Sequence, residues 1–342
     1  MSGGDLSGVT ISEVAAAAGV SRQTVSNVLK APERVAAETA ARVRRAIDDL
    51  GYRPNRAAQN LRQRASRCIG LKMVSPPGVS NLLDRFLHAL TEAAGLAGYH
   101  ILLFAAVDEE LETYEDLIRT GTVDGFVLFD VEVGDPRLSW FARRGIPFVC
   151  FGRPRGQRHE RFRWVDVDSA YGVARAVDHL VALGHRRIAY LGWPEGTGFG
   201  DERRAGWEGA ARRHGLDVDH LAGTSAETVT EAAETAARLL SRPEPPTAFA
   251  CGSDTFAIGA RLAGGIGANG RPNVEVVGFD DSATATLMAP PMSSVRQPLA
   301  EVARRVVAAL IDELRGADNT PEGVMLRPEL VIREWRGPEP VH

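Results

Sequence analysis

The chain has 342 residues, 44% hydrophobic and 25% charged, a composition and length that fit about two globular domains. No apolar run approaches the ~20 residues needed to cross a bilayer, and MSGGDLSGVT at the start lacks the basic and apolar regions of a secretion signal. We therefore expect a cytoplasmic protein with no membrane partner. Cys68, Cys150 and Cys251 are far apart and form no CxxC pair, which argues against a disulfide framework or a zinc site. The net charge of −4 is uneven. Residues 1–67 carry eleven Lys/Arg and six Asp/Glu, net +5, so the remaining 275 residues sum to −9. A basic head tracks phosphates, while an acidic body is spared non-specific attraction to nucleic acid.

In chain order, Thr10-x-x-Glu13 has the form of a capping box before ISEVAAAA, where Ile11, Val14, Ala15 and Ala18 recur at helical spacing. Gly19 breaks that helix. Ser21 is a natural N-cap for SRQTVSNVLK, in which Val25, Val28 and Leu29 make the buried side. Arg22, Gln23, Ser26 and Asn27 lie on other faces. A helix–Gly–helix unit of this size predicts a DNA-binding helix-turn-helix, whose second helix enters the major groove by its N-terminus. Gln can bond adenine bidentately and Arg can bond guanine, while Ser21 and Thr24 suit phosphates. A third amphipathic helix is expected at 36–50, ended by Gly51. Residues 52–67 follow with five arginines and no acid. A helix over 56–64 has little apolar surface to bury and would order only when docked, its arginines suiting a minor groove.

The run VTISEVAAAAGVSRQTVSNVL…RVAAETAARVRRAIDDLGYRPNRAAQNLR resembles the head and hinge of the lactose-repressor/galactose-repressor (LacI/GalR) family of transcription regulators. The resemblance implies that Arg22 and Gln23 read bases with help from Asn27, and that Leu61 wedges into the minor groove. It also implies that Thr10, Ser21, Thr24, Tyr52 and Asn55 hold phosphates, with Ser26 and Arg56 in the same interface. Asn27 stands where many members have Arg, which puts an inherited guanine contact there in doubt.

From Ile69 short apolar runs alternate with amphipathic helical stretches: IGLKMV (69–74), LLDRFLHALTEAAGLAG (82–98), HILLFAA (100–106), GFVLFD (125–130) and PFVCFG (147–152). After WVDVD (164–168) the pattern restarts. A helix at about 169–183 leads to RIAYLGW (187–193), helices near 201–214 and 226–241, TAFAC (247–251), a helix near 254–264 and VEVVGFD (274–280). A helix (299–315) and a strand (324–332) close the chain. Such alternation predicts two doubly wound, parallel-sheet lobes, with a ligand cleft beyond the carboxyl ends of the strands. The fold class is thus an all-α helix-turn-helix head plus an α/β body.

ALGHRRIAYLG (182–192), CGSDTFAIGA (251–260), VEVVGFDDS (274–282) and PPMSSVRQP (290–298) are again similar to family motifs, whose body is periplasmic-binding-protein-like. The expected domains are 9–54 for the DNA-binding head, 55–67 for the hinge and 68–333 for a ligand-sensing, dimerising body. Its first lobe should span about 68–165 and 295–325, its second about 166–294 and 326–333, with crossings near 165–168, 290–296 and 324–330. The resemblance implies ligand contacts from Arg203 and Asp280, with Ser253 at a position often filled by a polar contact. Arg and Asp suit a polyhydroxylated ligand. Phe151, Trp193 and Phe199 are candidates to stack on a sugar face, with core or cleft wall as the alternative reading of each. The family's Asn-Pro-aromatic start to the first body helix is absent. KMVSPPGVSNLLDRF replaces it, with Ser80 as expected N-cap, and Gly152 replaces an Asp found in some members.

Other chemistries find little support. WPEGTGFG (193–200) is neither a Walker loop nor a GxGxxG turn, and GGIGANG (264–270) reads as a helix stop. His159, His179, His185, His214 and His220 show no metal spacing. Asp166 and Asp168 have no nucleophile motif beside them. No cofactor, metal or catalysis is expected. The function so implied is a homodimeric repressor of a carbohydrate operon, bound to palindromic double-stranded DNA and released by a mono- or oligosaccharide effector, with dimer contacts from helices near 82–97 and 254–264. A corepressor-dependent regulator sensing another metabolite is the alternative, and a sugar-processing enzyme the remote one.

Overall fold

The computed structural model describes residues 9–52, 65–73, 82–105, 111–129, 131–156, 162–268, 270–317 and 322–333. The chain divides into two units, 1–66 and 67–342, each taken here by itself.

In the first unit Thr10 and Glu13 cap α1 (Ile11–Ala18) reciprocally. The Glu13 backbone N–H donates to the Thr10 hydroxyl at 3.4 Å, and the Glu13 carboxylate accepts the Thr10 N–H at 2.6 Å. Those donors hold the Glu13 carboxyl below its ordinary pKa. Gly19, with φ +62°, makes the left-handed turn that ends α1. Ser21 then caps α2 (Arg22–Lys30), and a 3-10 turn at Pro32–Arg34 leads to α3 (Ala37–Leu50). Val14, Ala15, Ala18, Val25, Val28, Ala40, Val43, Ala46 and the Tyr52 ring form one small core. Arg42 closes the end of α1 by donating to the Ala18 carbonyl at 2.9 Å. Leu29, expected on the buried side of α2, is 39% exposed instead.

The second unit holds two six-stranded sheets. The first lobe contains β1 (Cys68–Lys72), α4 (Leu82–Leu96), β2 (His100–Phe104), α5 (Glu112–Arg119), β3 (Gly125–Leu128), α6 (Pro136–Arg144), β4 (Phe148–Phe151) and β5 (Trp164–Val167). The second contains α7 (Ser169–Ala182), β6 (Ile188–Gly192), α8 (Phe199–Arg213), β7 (Ala222–Thr224), α9 (Val229–Leu240), β8 (Ala248–Cys251), α10 (Asp254–Gly264), β9 (Glu275–Phe279), α11 (Ala283–Leu287) and β10 (Ser293–Arg296). The chain then returns to the first lobe with α12 (Leu299–Leu314) and β11 (Gly323–Leu326), and ends in the second with β12 (Glu329–Val331). The strand orders are β11-β5-β4-β3-β1-β2 and β12-β10-β9-β8-β6-β7. The central strands β3, β4 and β8 are buried throughout, as sheets covered on both faces require.

Three sequence expectations shift. β10 belongs to the second sheet, pairing with β9 through Val295–Phe279, so the second crossing lies at Gln297–Pro298, not within 290–296. The closing strand expected at 324–332 is two strands in different sheets, split at Arg327–Pro328. β12 is also antiparallel to β10, in a lobe expected to be wholly parallel. The reason is topological. β11 runs toward the cleft in the first lobe, so a chain continuing straight across must run away from the cleft in the second.

Candidate functional site

Two sites emerge, one in each unit. On the head, α2 presents its N-terminal turn. Ser21 accepts the Thr24 N–H at 3.1 Å, and the two hydroxyls lie 2.9 Å apart. Arg22 and Gln23 are exposed, and Thr24, Ser26 and Asn27 half-buried. The Gln23 amide donates to the Asn27 side chain one turn later, at 3.0 Å. That contact holds Gln23 in one pose and leaves its carbonyl and one N–H for a base edge. Tyr52 packs its ring into the head core at 8% exposure. Asn55, Arg56 and Leu61, and the N-cap expected at Ser80, lie outside the described residues.

In the second lobe the strand ends converge on one polar cluster. Trp193 follows β6, Glu227 follows β7, Ser253 follows β8, Asp280 follows β9 and Gln297 follows β10. Arg203 enters from the first turns of α8, 4% exposed. Its guanidinium lies 3.7 Å above the Phe279 ring, and Trp193 and Phe199 stand 5.4 and 5.6 Å away. One nitrogen donates to the Gly252 carbonyl at 2.5 Å and another lies 3.8 Å from Asp280 Oδ1. Asp280, also 4% exposed, accepts the Gln297 amide at 2.7 Å. Its φ of +96° is strained for a residue with a side chain, and turns the carboxylate at the strand end.

Several polar atoms here have no hydrogen-bond partner among the described residues: Thr197 Oγ1, Arg203 Nε, Glu227 Oε1 and Ser253 Oγ. Each such buried atom costs about 1–3 kcal/mol unless something bonds it. Four stand around one aromatic wall, an arrangement that a polar ligand could satisfy. Burial pushes the Glu227 carboxyl above its ordinary pKa, and Asp280 adds to this. The Ser253 hydroxyl, the Arg203 charge and the Trp193 N–H pull it partly back.

The first lobe faces this cluster with arginines. Arg153 and Arg155, after β4, both pair with Glu202 on α8, Arg155 at 2.6 Å. Arg85 on α4 donates to the carbonyls of Asp280 and Asp281, the latter at 2.9 Å. Asp166, on β5, accepts the Arg153 N–H at 3.0 Å; burial still raises its carboxyl. Asp168 caps α7 by accepting the Tyr171 N–H.

The structure thus brings Arg203, Ser253, Asp280, Trp193 and Phe199 together. Phe151 is a correction. It is 7% exposed and packs 4.6 Å from Phe86 and 5.6 Å from Phe129, in the first-lobe core. Trp193 meets Phe199 and Phe256 edge-on, so it is a wedged wall more than an open platform. Sequence reasoning missed Thr197, Glu227, Gln297 and the Arg153–Arg155–Glu202 bridge. For Glu227 the only signal was its place just beyond a three-residue strand that the apolar pattern did not mark. The glycine-rich 193–200 turn spends the N–H groups of Gly196 and Gly198 on the Asp201 carboxylate, which leaves it no phosphate cradle. No group of three metal-ligating side chains occurs among the described residues.

A helix-turn-helix on one unit and a polar ligand cleft in a two-lobed α/β unit define a ligand-responsive transcription regulator. The profile of the bacterial regulatory proteins of the lacI family matches residues 10–55, and that of the periplasmic binding protein-like domain matches 177–334. The HTH-type transcriptional regulator AglR of Rhizobium meliloti is 33% identical, over 97% of this chain and 95% of that protein. CelR of Thermobifida fusca is 32% identical, over 95% and 97%. A solved complex of CelR with cellobiose covers 95% of this chain and 99% of its own, at 30% identity and a TM-score of 0.70. A lac repressor dimer on operator DNA covers 95% and 98%, at 26% identity and a TM-score of 0.75. The chain belongs to the lacI family of bacterial regulatory proteins, and it is an HTH-type, DNA-binding transcription regulator.

Proposed function

We propose that this regulator is a homodimeric repressor that leaves a palindromic operator when a neutral mono- or oligosaccharide fills the body cleft. The observation that carries the sugar reading is the ring of unpartnered polar atoms around Trp193, Arg203 and Asp280. Hydroxyl groups both donate and accept, so one polyol can satisfy Glu227, Ser253, Thr197 and Arg203 at once. The cellobiose bound by the relative CelR supports the same class. Dimerisation through α4 and α10 is supported by Leu96 (83% exposed) and Leu262 (59%), with Leu287 (81%) on the adjoining α11. The head acts on the chromosome, so the protein works in the cytoplasm, and we assign it no catalysis.

In this reading Arg22 and Gln23, steadied by Asn27, read bases. Ser21, Thr24, Thr10, Tyr52 and Asn55 hold phosphates, and Leu61 enters the minor groove. Effector changes the angle between the lobes and so the spacing of the two heads. Linkage requires that operator weaken effector binding by the factor by which effector weakens operator binding. The test is genomic footprinting of the purified protein, followed by titration of the bound sites with sugars. Sites forming a palindrome, vacated on adding sugar, are the expected result. Asp280→Ala should keep the footprint and lose the response. Footprints that tighten with ligand would replace the inducer reading with a corepressor one.

A further inference from the structure

Glu227 stands apart from the other charges of the cleft. Arg203 lies beside Asp280, and Arg153 and Arg155 share Glu202. No salt bridge includes Glu227 among the described residues; its Oε1 is buried without a hydrogen-bond partner, and the Ser253 hydroxyl and Trp193 N–H are the neutral donors near enough to favour its charged form. Ser253, fully buried at the start of α10, has its Oγ in the same condition and caps no helix N–H. Both groups stand beside the Trp193 indole, wedged where Gly200 and Gly252 leave room. A Cβ on Gly252 would come 2.9 Å from that ring. A carboxylate accepts only, and a serine hydroxyl does both. Adjacent hydroxyls on a pyranose give two donors to the carboxylate and one acceptor to the serine.

We infer that Glu227 is the specificity-determining residue of the effector site: with Ser253 it reads a vicinal hydroxyl pair on a neutral sugar lying against Trp193. This rests on the sugar reading proposed above. A ligand lacking that pair would leave a half-buried carboxylate, its Oε1 closed to water, without those donors, which discriminates more strongly than an apolar contact does. Two hydroxyl donors favour the ionised carboxylate, so binding takes up the charged form and weakens as pH falls. The charged groups facing Glu227 are Arg203 on α8 and Asp280 beyond β9, and both remain when Glu227 is changed.

The experiment is isothermal titration of the full chain and its Glu227→Gln variant with glucose, galactose, cellobiose, maltose and glucosamine. Matched urea midpoints of the two proteins confirm that the variant is folded. Glu227→Gln should lower affinity for the binding sugar about 10- to 100-fold. Fluorine in place of the hydroxyl that is read should cost the wild type a similar factor and cost the variant little more. Wild-type affinity should fall by up to about tenfold per unit of pH below the free carboxyl's pKa, while the variant stays flat. Equal affinities of variant and wild type would overturn the inference and leave the sugar reading standing. Glucosamine preferred by the wild type alone would assign Glu227 to an ammonium group and overturn the hydroxyl pair. A wild type that binds none of these sugars would overturn both readings.

Discussion

Asp254, at the start of α10, offers a test of the second-lobe architecture. It is 3% exposed. One carboxylate oxygen accepts the Ser282 N–H at 2.6 Å and the other accepts the Ser294 hydroxyl at 2.6 Å, tying α10 to the Asp280 loop and to β10. Only a glycine fits opposite: a Cβ at position 278 would lie 3.1 Å from the Asp254 carboxyl carbon. Burial pushes this carboxyl from 3.8 to about 7, outweighing both hydrogen bonds, and Asp280 adds to the push. The folded state therefore holds a proton that the unfolded chain releases near pH 4. Stability is fullest below that pH and is lost as pH rises toward about 7. At 1.36 kcal/mol per pH unit the whole loss is on the order of 4 kcal/mol, of which about 3 falls between pH 5 and 8. Asp254→Asn keeps the shape and cannot ionise. Its oxygen can take the Ser282 N–H, and its amide can donate to a Ser294 hydroxyl that turns round. Urea unfolding of the full chain, followed by tryptophan emission, reads the second unit alone, because all five tryptophans lie beyond residue 66. The stability of the variant relative to wild type should grow by about 3 kcal/mol from pH 5 to pH 8. A difference constant to about 0.5 kcal/mol over that range would show that Asp254 does not titrate there, and the argument would fail.

Three further outcomes follow from the same geometry. Gln23→Ala should weaken operator binding by about 1–3 kcal/mol and spare scrambled DNA; gel-shift titration on both, at fixed salt, decides it. Gly206→Ala should cost about 2–3 kcal/mol in urea unfolding, since its Cβ would fall 2.7 Å from the Ala170 Cα on α7; a loss under 0.5 kcal/mol would mean that the helices part freely. Glu202→Gln removes the shared partner of Arg153 and Arg155. These side chains are 42% and 22% exposed, so the effect on lobe closure should be only about 1 kcal/mol, visible as a several-fold weaker effector affinity and a larger radius of gyration in small-angle scattering.

The head was legible because its signals are local. A capping box, a glycine turn and a serine cap each sit within a few residues of what they control, and all three recur in the structure. Alternation of apolar runs and helices likewise exposed the two lobes. Crossings were harder. Nothing local in SSVRQP says whether the strand pairs with β9 or with a strand of the other lobe, because both sheets offer an apolar face. The polar cluster was legible where family motifs cover it, at Arg203, Ser253 and Asp280. It was illegible at Glu227, where an isolated acid beyond a short strand looks like any solvated loop residue. Phe151 misled for the opposite reason: a strand-end aromatic has the same sequence appearance in a core as at a cleft wall, and only Phe86 and Phe129 decide which it is.

These contacts also explain how a small ligand can move a large unit. Two kinds of tie join the lobes. Three chain crossings at Asp168, Gln297–Pro298 and Arg327–Pro328 are covalent and fix a hinge line. The polar ties, Arg85 to the Asp280–Asp281 carbonyls and Arg153 and Arg155 to Glu202, are the contacts that the proposed lobe movement would have to break and remake about that line. Asp281 is itself anchored. Arg296 and Arg333 hold it at 2.6 Å each and, despite its burial, keep its carboxyl below the ordinary range. The Arg85 tie therefore ends on a loop braced from behind, whose next carboxylate, Asp280, faces the ligand cluster. A ligand that bonds Asp280 and Arg203 acts on that loop directly, and its differential contact with the open and closed lobes sets the limit on how far it can shift the two-state balance.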